Sequence, residues 1–405
     1  MKEKMIVFVK KETVLCIAGL LAVVSMFIIH PSADYFGYID YRVLALLFCF
    51  MAVVAGFRSV GLFEWLIKKM LCYVKNARQL ELVLVLGCFF ASMWITNDVA
   101  LLTFVPFAVA VLQAAGLTEN LIFVIVMQTI AANLGSMLTP LGNPQNLYLY
   151  GKAGIGIAEF LKIMLPYTVC AFALLMAWIG LASMVRKRKL SHDGKTEIKQ
   201  NKGLDSVEDK ASTKRQKDSL SASGSKWEKK DAEWIEKFTA YLILFVISLL
   251  AVSHILPYGV PFALVFLYLL LRDRKILTQV DYSLLCIFIA LFIFIGNLGR
   301  IPAFSQLLSD ILTGREVVTS VIASQVMSNV PAAILLSGFT DHIRELVIGT
   351  NLGGLGTLIA SMASLISFKY VAKEDRSFRG RYFVEFTVAN VIFLFIMMIL
   401  YRLLS

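Results

Sequence analysis

Polar residues that interrupt apolar stretches are the part of this sequence whose types and spacing could do chemistry. Two interruptions are short, Thr-Asn-Asp at residues 96–98 and Ser-Asn-Val at residues 328–330. Two longer ones contain helix-breaking residues, one glycine and two prolines at residues 139–146 and three glycines at residues 353–361. A helix broken at such a point exposes N–H and carbonyl groups that can replace water around an anion and a cation. We therefore predict a site for an anionic solute and a small coupling cation.

Asp98 is the acidic residue of these four interruptions. An acidic side chain between two apolar arms is costly in lipid, so it indicates a proton carrier or a ligand of the coupling cation. An alternative is that Asp98 caps the helix that follows it, and the two roles are compatible.

The elements that must position these residues are transmembrane helices. The chain of 405 residues is 58% hydrophobic and 17% charged, whereas a soluble domain is about 45–50% apolar and about 25% charged. Composition therefore excludes a soluble fold and predicts an all-α integral membrane protein, because backbone polar groups in lipid must be satisfied within each segment. At about 20 residues per crossing, the uncharged stretches predict about nine transmembrane helices.

The two short interruptions predict re-entrant hairpins rather than crossings. Each lies between apolar arms of about 11 to 16 residues, which at about 1.5 Å per residue reach the middle of a membrane without spanning it. In both halves the hairpin is followed by Asn-Leu-Gly, at residues 133–135 and 351–353. This order predicts two inverted repeats, residues 1–185 and 237–405, of the kind that builds secondary transporters.

Residues 186–236 separate the two predicted repeats and are rich in charged residues and serine. Such a segment cannot bury enough apolar surface to offset its ordering entropy, which predicts a disordered linker. Most of the 39 lysines and arginines fall in this linker and in loops on its side of the membrane. We therefore predict a cytoplasmic N-terminus and linker and an external C-terminus. A regulatory or lipid-binding role for the basic residues 186–189 is the alternative to this topological explanation.

The sequence gives little support for a disulfide framework, a metal site, a phosphate-binding loop or an enzyme. The six cysteines lie in apolar stretches without a Cys-x-x-Cys pair, and the four histidines show no metal-ligand spacing. The glycines at residues 353–356 are not followed by Lys and Ser or Thr, so they indicate a helix break rather than a phosphate loop. We predict no enzymatic activity, no cofactor and no metal beyond a coupling ion, Na⁺ or H⁺. The predicted partners are a small anionic solute and the lipid bilayer, with no nucleic acid.

At these positions the sequence resembles the ion transporter superfamily, which includes divalent-anion/sodium symporters, citrate transporters, arsenite permeases and some sodium/proton antiporters. In its dicarboxylate members each hairpin tip carries Ser-Asn-Thr and each broken helix a Gly-Thr-Pro-Pro-Asn-like loop, which together form substrate and sodium sites. Asn97 and Asn329 keep the central tip position, and Gly-Asn-Pro-Gln-Asn stands at residues 142–146. The third position of both tips and the second loop, Ala-Ser-Met-Ala-Ser at residues 360–364, depart from that pattern. The resemblance alone suggests a homodimer.

Candidate roles follow for the residues at the interruptions. The predicted substrate-binding residues are Thr96, Asn97, Asn143, Pro144, Asn146, Ser328, Asn329, Thr357 and Ser361. The predicted coupling-ion residues are Asp98, Asn97, Thr139, Gly142, Asn329, Asn351 and Gly356.

The function that these features predict is secondary active transport of a small anion, a di- or tricarboxylate, by alternating access coupled to protons or sodium. One alternative within transport is an arsenite or other metalloid efflux permease, or a cation/proton antiporter in which Asp98 binds the cation. An alternative of another class is a non-transporting membrane receptor or scaffold.

Overall fold

All regular secondary structure in the described part of the chain is helical. A computed structural model describes residues 12–71, 74, 76–192, 224–374 and 377–404, and these residues form nineteen α-helices and no β-strand. The prediction of an all-α membrane protein is confirmed. Of the predicted disordered linker, residues 193–223 lie outside the described residues, as do the lysines of the N-terminus. The two ends of the linker differ from the prediction, because residues 186–192 and 224–236 continue the long helices on either side.

The first nine helices precede residues 193–223, which the structure does not describe. Their bounds are α1 Thr13–Ile28, α2 Tyr35–Tyr38, α3 Tyr41–Val60, α4 Leu62–Leu71, α5 Ala77–Ala91, α6 Asn97–Ala114, α7 Leu121–Gly135, α8 Pro144–Ala153 and α9 Ile157–His192. Short 3₁₀ turns at Thr118–Asn120 and Ser136–Leu138 flank α7.

Ten helices follow residue 223. Their bounds are α10 Gly224–Val252, α11 Gly259–Arg272, α12 Arg274–Leu277, α13 Tyr282–Gly299, α14 Pro302–Leu312, α15 Glu316–Met327, α16 Asn329–Leu336, α17 Ile343–Leu352, α18 Met362–Glu374 and α19 Phe378–Leu404.

The order of these helices repeats along the chain. A long apolar helix, α3, is followed by the short amphipathic helix α4, the hairpin α5–α6, the broken helix α7–α8 and the long helix α9. The same order recurs from α13 through α14, α15–α16 and α17–α18 to α19. Sequence analysis missed α4 and α14, which are too short to register as crossings and carry polar residues on one face. The opposite orientation of the two repeats stays a prediction.

The helix lengths can be compared with the predicted number of about nine membrane crossings. Within the described residues, seven stretches are long and apolar enough to cross a membrane: Tyr41–Val60, Asn97–Ala114, Thr118–Leu138, Ile157–Val185, Trp234–Val252, Tyr282–Gly299 and Phe378–Leu404. Helices α1 and α11 lie in two of the uncharged stretches that predict crossings, and they have 16 and 14 residues. Helix α6 has 18 residues, which is longer than the predicted hairpin arm. Its length, about 27 Å at 1.5 Å per residue, approaches the thickness of a hydrocarbon core.

The helix ends coincide with the sequence interruptions. The first hairpin turns between α5 and Asn97, the first residue of α6, and the second turns at Ser328 between α15 and α16. Helix α8 begins at Pro144, where a proline is favoured because the N–H that it lacks would have no helical partner. The long apolar stretch before residue 271 is interrupted between α10 and α11, as the Leu-Pro-Tyr-Gly at residues 256–259 predicts.

The described helices group into two compact units. The first unit draws its residues from Met1–Ser59, Pro144–Ile163 and Tyr241–Gly354, and the second from Val60–Asn143, Met164–Ala240 and Leu355–Ser405. The first unit therefore holds the hairpin α15–α16, helix α17 and helix α8. The second unit holds the hairpin α5–α6, helix α7 and helix α18. Each unit thus combines one hairpin, the first arm of its own broken helix and the second arm of the other.

Aromatic contacts and close backbone packing hold each unit together. In the first unit the rings of Tyr148 and Phe292 are 5.6 Å apart, and Asn297 Nδ2 donates to Ser25 Oγ at 2.9 Å. In the second unit the rings of Trp178 and Phe393 are 5.5 Å apart. Between helices in lipid, such contacts stabilise packing through van der Waals contact and interhelical hydrogen bonds rather than through removal of apolar surface from water.

Large apolar side chains also cover the outside of several helices. On α1, Phe27 is 78% exposed, and on α19, Phe395 is 66% exposed. Monomeric soluble proteins rarely expose contiguous apolar surface of this kind. These helix faces are suited to lipid, in agreement with the membrane environment that composition predicts.

Candidate functional site

Asn133 is the centre of a hydrogen-bonded cluster in the second unit. Its Oδ1 accepts from Asn97 Nδ2 at 3.0 Å and from Ser361 Oγ at 3.0 Å, and its Nδ2 donates to Ser364 Oγ at 3.4 Å. All four side chains are at most 4% exposed. The cluster therefore joins the first hairpin tip, the first arm of one broken helix and the second arm of the other. We call Asn97, Asn133, Ser361 and Ser364 the second-unit cluster.

The first loop is tied to the first hairpin by backbone as well as side chains. The N–H of Asn97 donates to the carbonyl of Gly142 at 3.1 Å, and Thr139 Oγ1 donates to the carbonyl of Met93. A Cβ at position 142 would lie 2.0 Å from the carbonyl oxygen of Ser136, so this loop accepts only glycine there. Loop and hairpin form one rigid support for the cluster.

A corresponding cluster lies in the first unit. Asn351 Nδ2 donates to Asn146 Oδ1 at 2.6 Å, which joins α17 to α8. The second hairpin is tied to its own broken helix by Gln325, whose Nε2 donates to the carbonyl of Gly353 at 3.0 Å. Gly354 lies against the tip, because a Cβ there would be 3.2 Å from Asn329 Nδ2. We call Asn146, Asn329 and Asn351 the first-unit cluster.

The two clusters are built from equivalent positions of the sequence repeat. Asn133 and Asn351 both begin an Asn-Leu-Gly, and Ser364 occupies the loop position that Asn146 occupies in the first repeat. In each unit the first arm of one broken helix bonds to the second arm of the other. Sequence analysis assigned a role to Asn351 and Asn146 but missed Asn133 and Ser364. Aligning the two repeats would have identified both, because Asn133 aligns with Asn351 and Ser364 with Asn146.

Ser328, at the tip of the second hairpin, has a strained backbone. Its φ of 76° and ψ of 156° fall in a region that is essentially restricted to glycine, which costs about 1–3 kcal/mol for another residue. Its side chain is 2% exposed. Strain of this kind persists only where the surrounding structure enforces it, and it concentrates at functional positions.

Ser328→Gly is expected to raise the melting temperature of the purified protein, because glycine adopts this conformation without strain. Relief of the strain should raise the free energy of unfolding by about 1 kcal/mol. The greater freedom of glycine in the unfolded chain offsets part of this increase. If the hydroxyl binds solute, the same variant should transport more slowly. Ser337→Gly is the control, because Ser337 is equally buried but has an ordinary helical backbone. A lower melting temperature for Ser328→Gly would contradict the strain.

The remaining predicted site residues are placed individually. Asp98 is partly exposed in the first turn of α6, and its N–H donates to Asn97 Oδ1 at 2.9 Å. Asn143 Nδ2 donates to Ser136 Oγ at 2.6 Å. In the second loop Gly356 has a φ of 107°, which favours glycine, and Thr357 is exposed. Thr96 directly precedes α6 with an extended backbone.

The chemistry available at both clusters is that of neutral hydrogen-bonding groups. Amides and hydroxyls supply donors and acceptors without a buried fixed charge, and the starts of α6 and α8 add the partial positive charge of a helix N-terminus. Asp98 is the ionisable residue among the predicted site residues. Such surroundings suit a small solute that is bound reversibly together with a cation or proton.

Comparison with known proteins identifies a family of transporters. The family described as citrate transporter matches residues 4–344, a range that takes in both hairpin tips and the first loop. The chain is 28% identical over 346 residues to an uncharacterised transporter of Methanocaldococcus jannaschii, covering 84% of each chain. It is 28% identical over 357 residues to the inner membrane protein YbiR of Escherichia coli, covering 85% of this chain and 84% of the relative. A silicon efflux transporter of Oryza sativa subsp. japonica is 30% identical over 150 residues, which is 36% of this chain and 30% of the relative.

Proposed function

Since this chain belongs to the citrate transporter family, we propose that it is a secondary active transporter of a small anion, a di- or tricarboxylate. The observation that carries this proposal is the pair of neutral clusters, each placed where a hairpin meets two arms of broken helices. Neutral donors offset the hydration that an anion loses, and they release it more readily than a buried lysine or arginine would.

The course of the chain suggests how access could alternate. The chain passes between the two units five times. Two of these passages, from Asn143 to Pro144 and from Gly354 to Leu355, lie inside the loops of the broken helices. A rearrangement of the units would therefore act directly on the loops that carry the proposed ligands, which couples solute binding to the change of state. Asp98 is the proposed binder of the coupling proton or sodium ion.

Flux measurements in proteoliposomes test the function. Radiolabelled citrate, succinate and malate are offered to vesicles that contain the purified protein, with a pH gradient and a sodium gradient imposed separately. Uptake that exceeds that of empty vesicles and responds to one gradient is the expected result. Absence of flux for all solutes and both gradients would favour the receptor or scaffold alternative.

A second candidate function is efflux of a metalloid oxyacid. It is favoured by the similarity to the silicon efflux transporter of Oryza sativa, and uncharged amides and hydroxyls also suit a solute of low charge. Vesicles loaded with silicic acid distinguish the two candidates. Efflux of silicic acid without carboxylate uptake would replace the first candidate by the second.

Orientation in the membrane is the next prediction. We expect the loop that contains Ser377 to face the cytoplasm and the loop that contains His342 to face outward, because the basic residues cluster on the linker side. Both residues are exposed. In a cysteine-free background, an impermeant maleimide should label His342→Cys in intact cells and Ser377→Cys only after the membrane is opened. The reverse labelling pattern would invert the topology.

A further inference from the structure

Gln145 has a buried side chain whose carboxamide makes no hydrogen bond with the described residues. It is the second residue of α8 and is 0% exposed. Neither its Nε2 nor its Oε1 has a hydrogen-bond partner among the described residues. Buried polar groups are nearly always paired, because an unpaired one costs free energy without return. An unused carboxamide at this place therefore points to a partner that is absent from the protein itself.

Another buried glutamine shows what a structural role looks like. Gln128 is also 0% exposed, but its Nε2 donates to the carbonyl of Leu84 at 3.1 Å and contacts the carbonyl of Phe104 at 3.4 Å. Through these bonds Gln128 fixes both arms of the first hairpin to α7. Only its Oε1 lacks a partner among the described residues, whereas Gln145 lacks partners for both atoms. Gln145 makes no such bond, although the neighbouring amides of Asn143 and Asn146 are engaged.

Gln145 is adjacent in sequence to Asn146 of the first-unit cluster. The next residue, Asn146, accepts from Asn351, and the Oδ1 of Asn351 has no partner among the described residues either. Gln145 also lies in the first turn of α8, where the helix carries partial positive charge. One free donor and two free acceptors therefore accompany a helix N-terminus in this unit.

The chemistry of a carboxamide defines what would satisfy it. An ionised carboxylate can only accept, so it would bind Nε2 and leave Oε1 unpaired. A hydroxyl group donates, so a solute with a hydroxyl beside its acid group would donate to Oε1 and accept from Nε2 at the same time. We propose that Gln145 is a specificity-determining residue that selects hydroxylated acids over the same acids without the hydroxyl. This inference rests on the proposed transport function and names the substrate class of that site.

Matched pairs of acids test the inference on the purified full-length protein. Malate is compared with succinate, and citrate with tricarballylate, because each pair differs by one hydroxyl group. Thermal shift measures binding, and competition for flux in proteoliposomes measures transport. A site built to pair a hydroxyl rejects the analogue that lacks it, so we expect at least about tenfold tighter binding of the hydroxylated member in one or both pairs.

Two variants separate a selective role from a structural one. Gln145→Met keeps the length of the side chain, and it should reduce the preference to within about twofold. It should also melt at a higher temperature without solute, because it removes an unpaired polar group, whereas loss of a structural hydrogen bond would lower the melting temperature. Gln128→Met is the matched control, expected to melt at a lower temperature and to keep the preference. Gln145→Glu retains an acceptor, so it should keep the preference while its negative charge weakens binding of both acids.

The outcomes distinguish this inference from the transport function. Equal binding of both members in each pair by the wild type, no binding of either, or an unchanged preference in Gln145→Met overturns the role of Gln145. A hydroxyl preference in the thermal shift without any flux overturns transport and supports the binding role. If Gln145→Met does not fold, loss of the preference in Gln145→Glu overturns the inference and its retention with weaker binding supports it.

Discussion

Asn133→Leu should reduce solute flux in proteoliposomes by at least about tenfold while leaving a folded protein in the membrane. The change removes a side chain that makes three hydrogen bonds at the meeting point of a hairpin tip and two helix arms. Each bond contributes about 0.5–1.5 kcal/mol, and more where a buried partner is left unpaired. Asn97 and Ser361 would both lose their shared acceptor, so the geometry of the cluster should be lost. A fall in flux of at least about tenfold is expected, since about 1.4 kcal/mol corresponds to a factor of ten.

Asn390→Leu is the matched control for this prediction. Asn390 is 0% exposed and its Nδ2 donates to Phe386 of its own helix at 2.8 Å. The variant removes an equally buried carboxamide from the second unit without touching the cluster, so its flux should stay near that of the wild type. Wild-type flux in Asn133→Leu, measured at equal amounts of inserted protein, would show that the second-unit cluster is only structural.

Asp98→Asn should keep exchange of solute across the membrane and remove the dependence of net uptake on a cation gradient. Asp98 lies in the first turn of α6, next to the tip residue Asn97. A permanent carboxylate beside a bound anion costs several kcal/mol at a distance of a few ångströms, about 4 kcal/mol at 4 Å in partly screened surroundings. A proton or a bound sodium ion avoids this repulsion. The asparagine imitates the neutralised state, so binding should survive and coupling should not.

Measurements with the pH gradient and the sodium gradient applied one at a time decide which ion is coupled. Glu316→Gln is the control, because Glu316 is also an acidic residue in the first turn of a hairpin arm, is 5% exposed, and lies at the end of α15 away from the tip. That variant should keep its response to the gradient. Uptake that is still driven by a gradient in Asp98→Asn would remove Asp98 from the coupling mechanism.

Much of the local architecture was accessible from the sequence. Helix breaks follow from residue chemistry, since Pro144 starts α8 and the glycines at residues 353–356 end α17, and neither depends on distant contacts. The lengths of helices were less accessible. Helix α6 continues through Pro106 to 18 residues, because neighbouring helices can support a helix that has lost one backbone hydrogen bond.

Only some residues of the two clusters could be predicted by considering each sequence position separately. Asn97 and Asn329 stand out because they lie at tips between apolar arms. Asn133, Ser364 and Gln145 lie inside helical stretches, where a single polar residue is more often a packing element. Their importance depends on which helices meet, and Gln145 is distinguished only by the partners it lacks.

The sequence by itself determined that this protein is a helical membrane protein with two hairpins and two broken helices, since hydropathy and the need to satisfy backbone groups in lipid act on each segment separately. Only the tertiary structure decided that each unit takes the second arm of its broken-helix pair from the other repeat, with Ser364 beside Asn133 and Asn146 beside Asn351. Those pairs are separated by more than two hundred residues. A buried amide or hydroxyl forms a hydrogen bond only with a group at the right distance and in the right direction. The packing of the helices sets that distance and direction, and the local sequence does not.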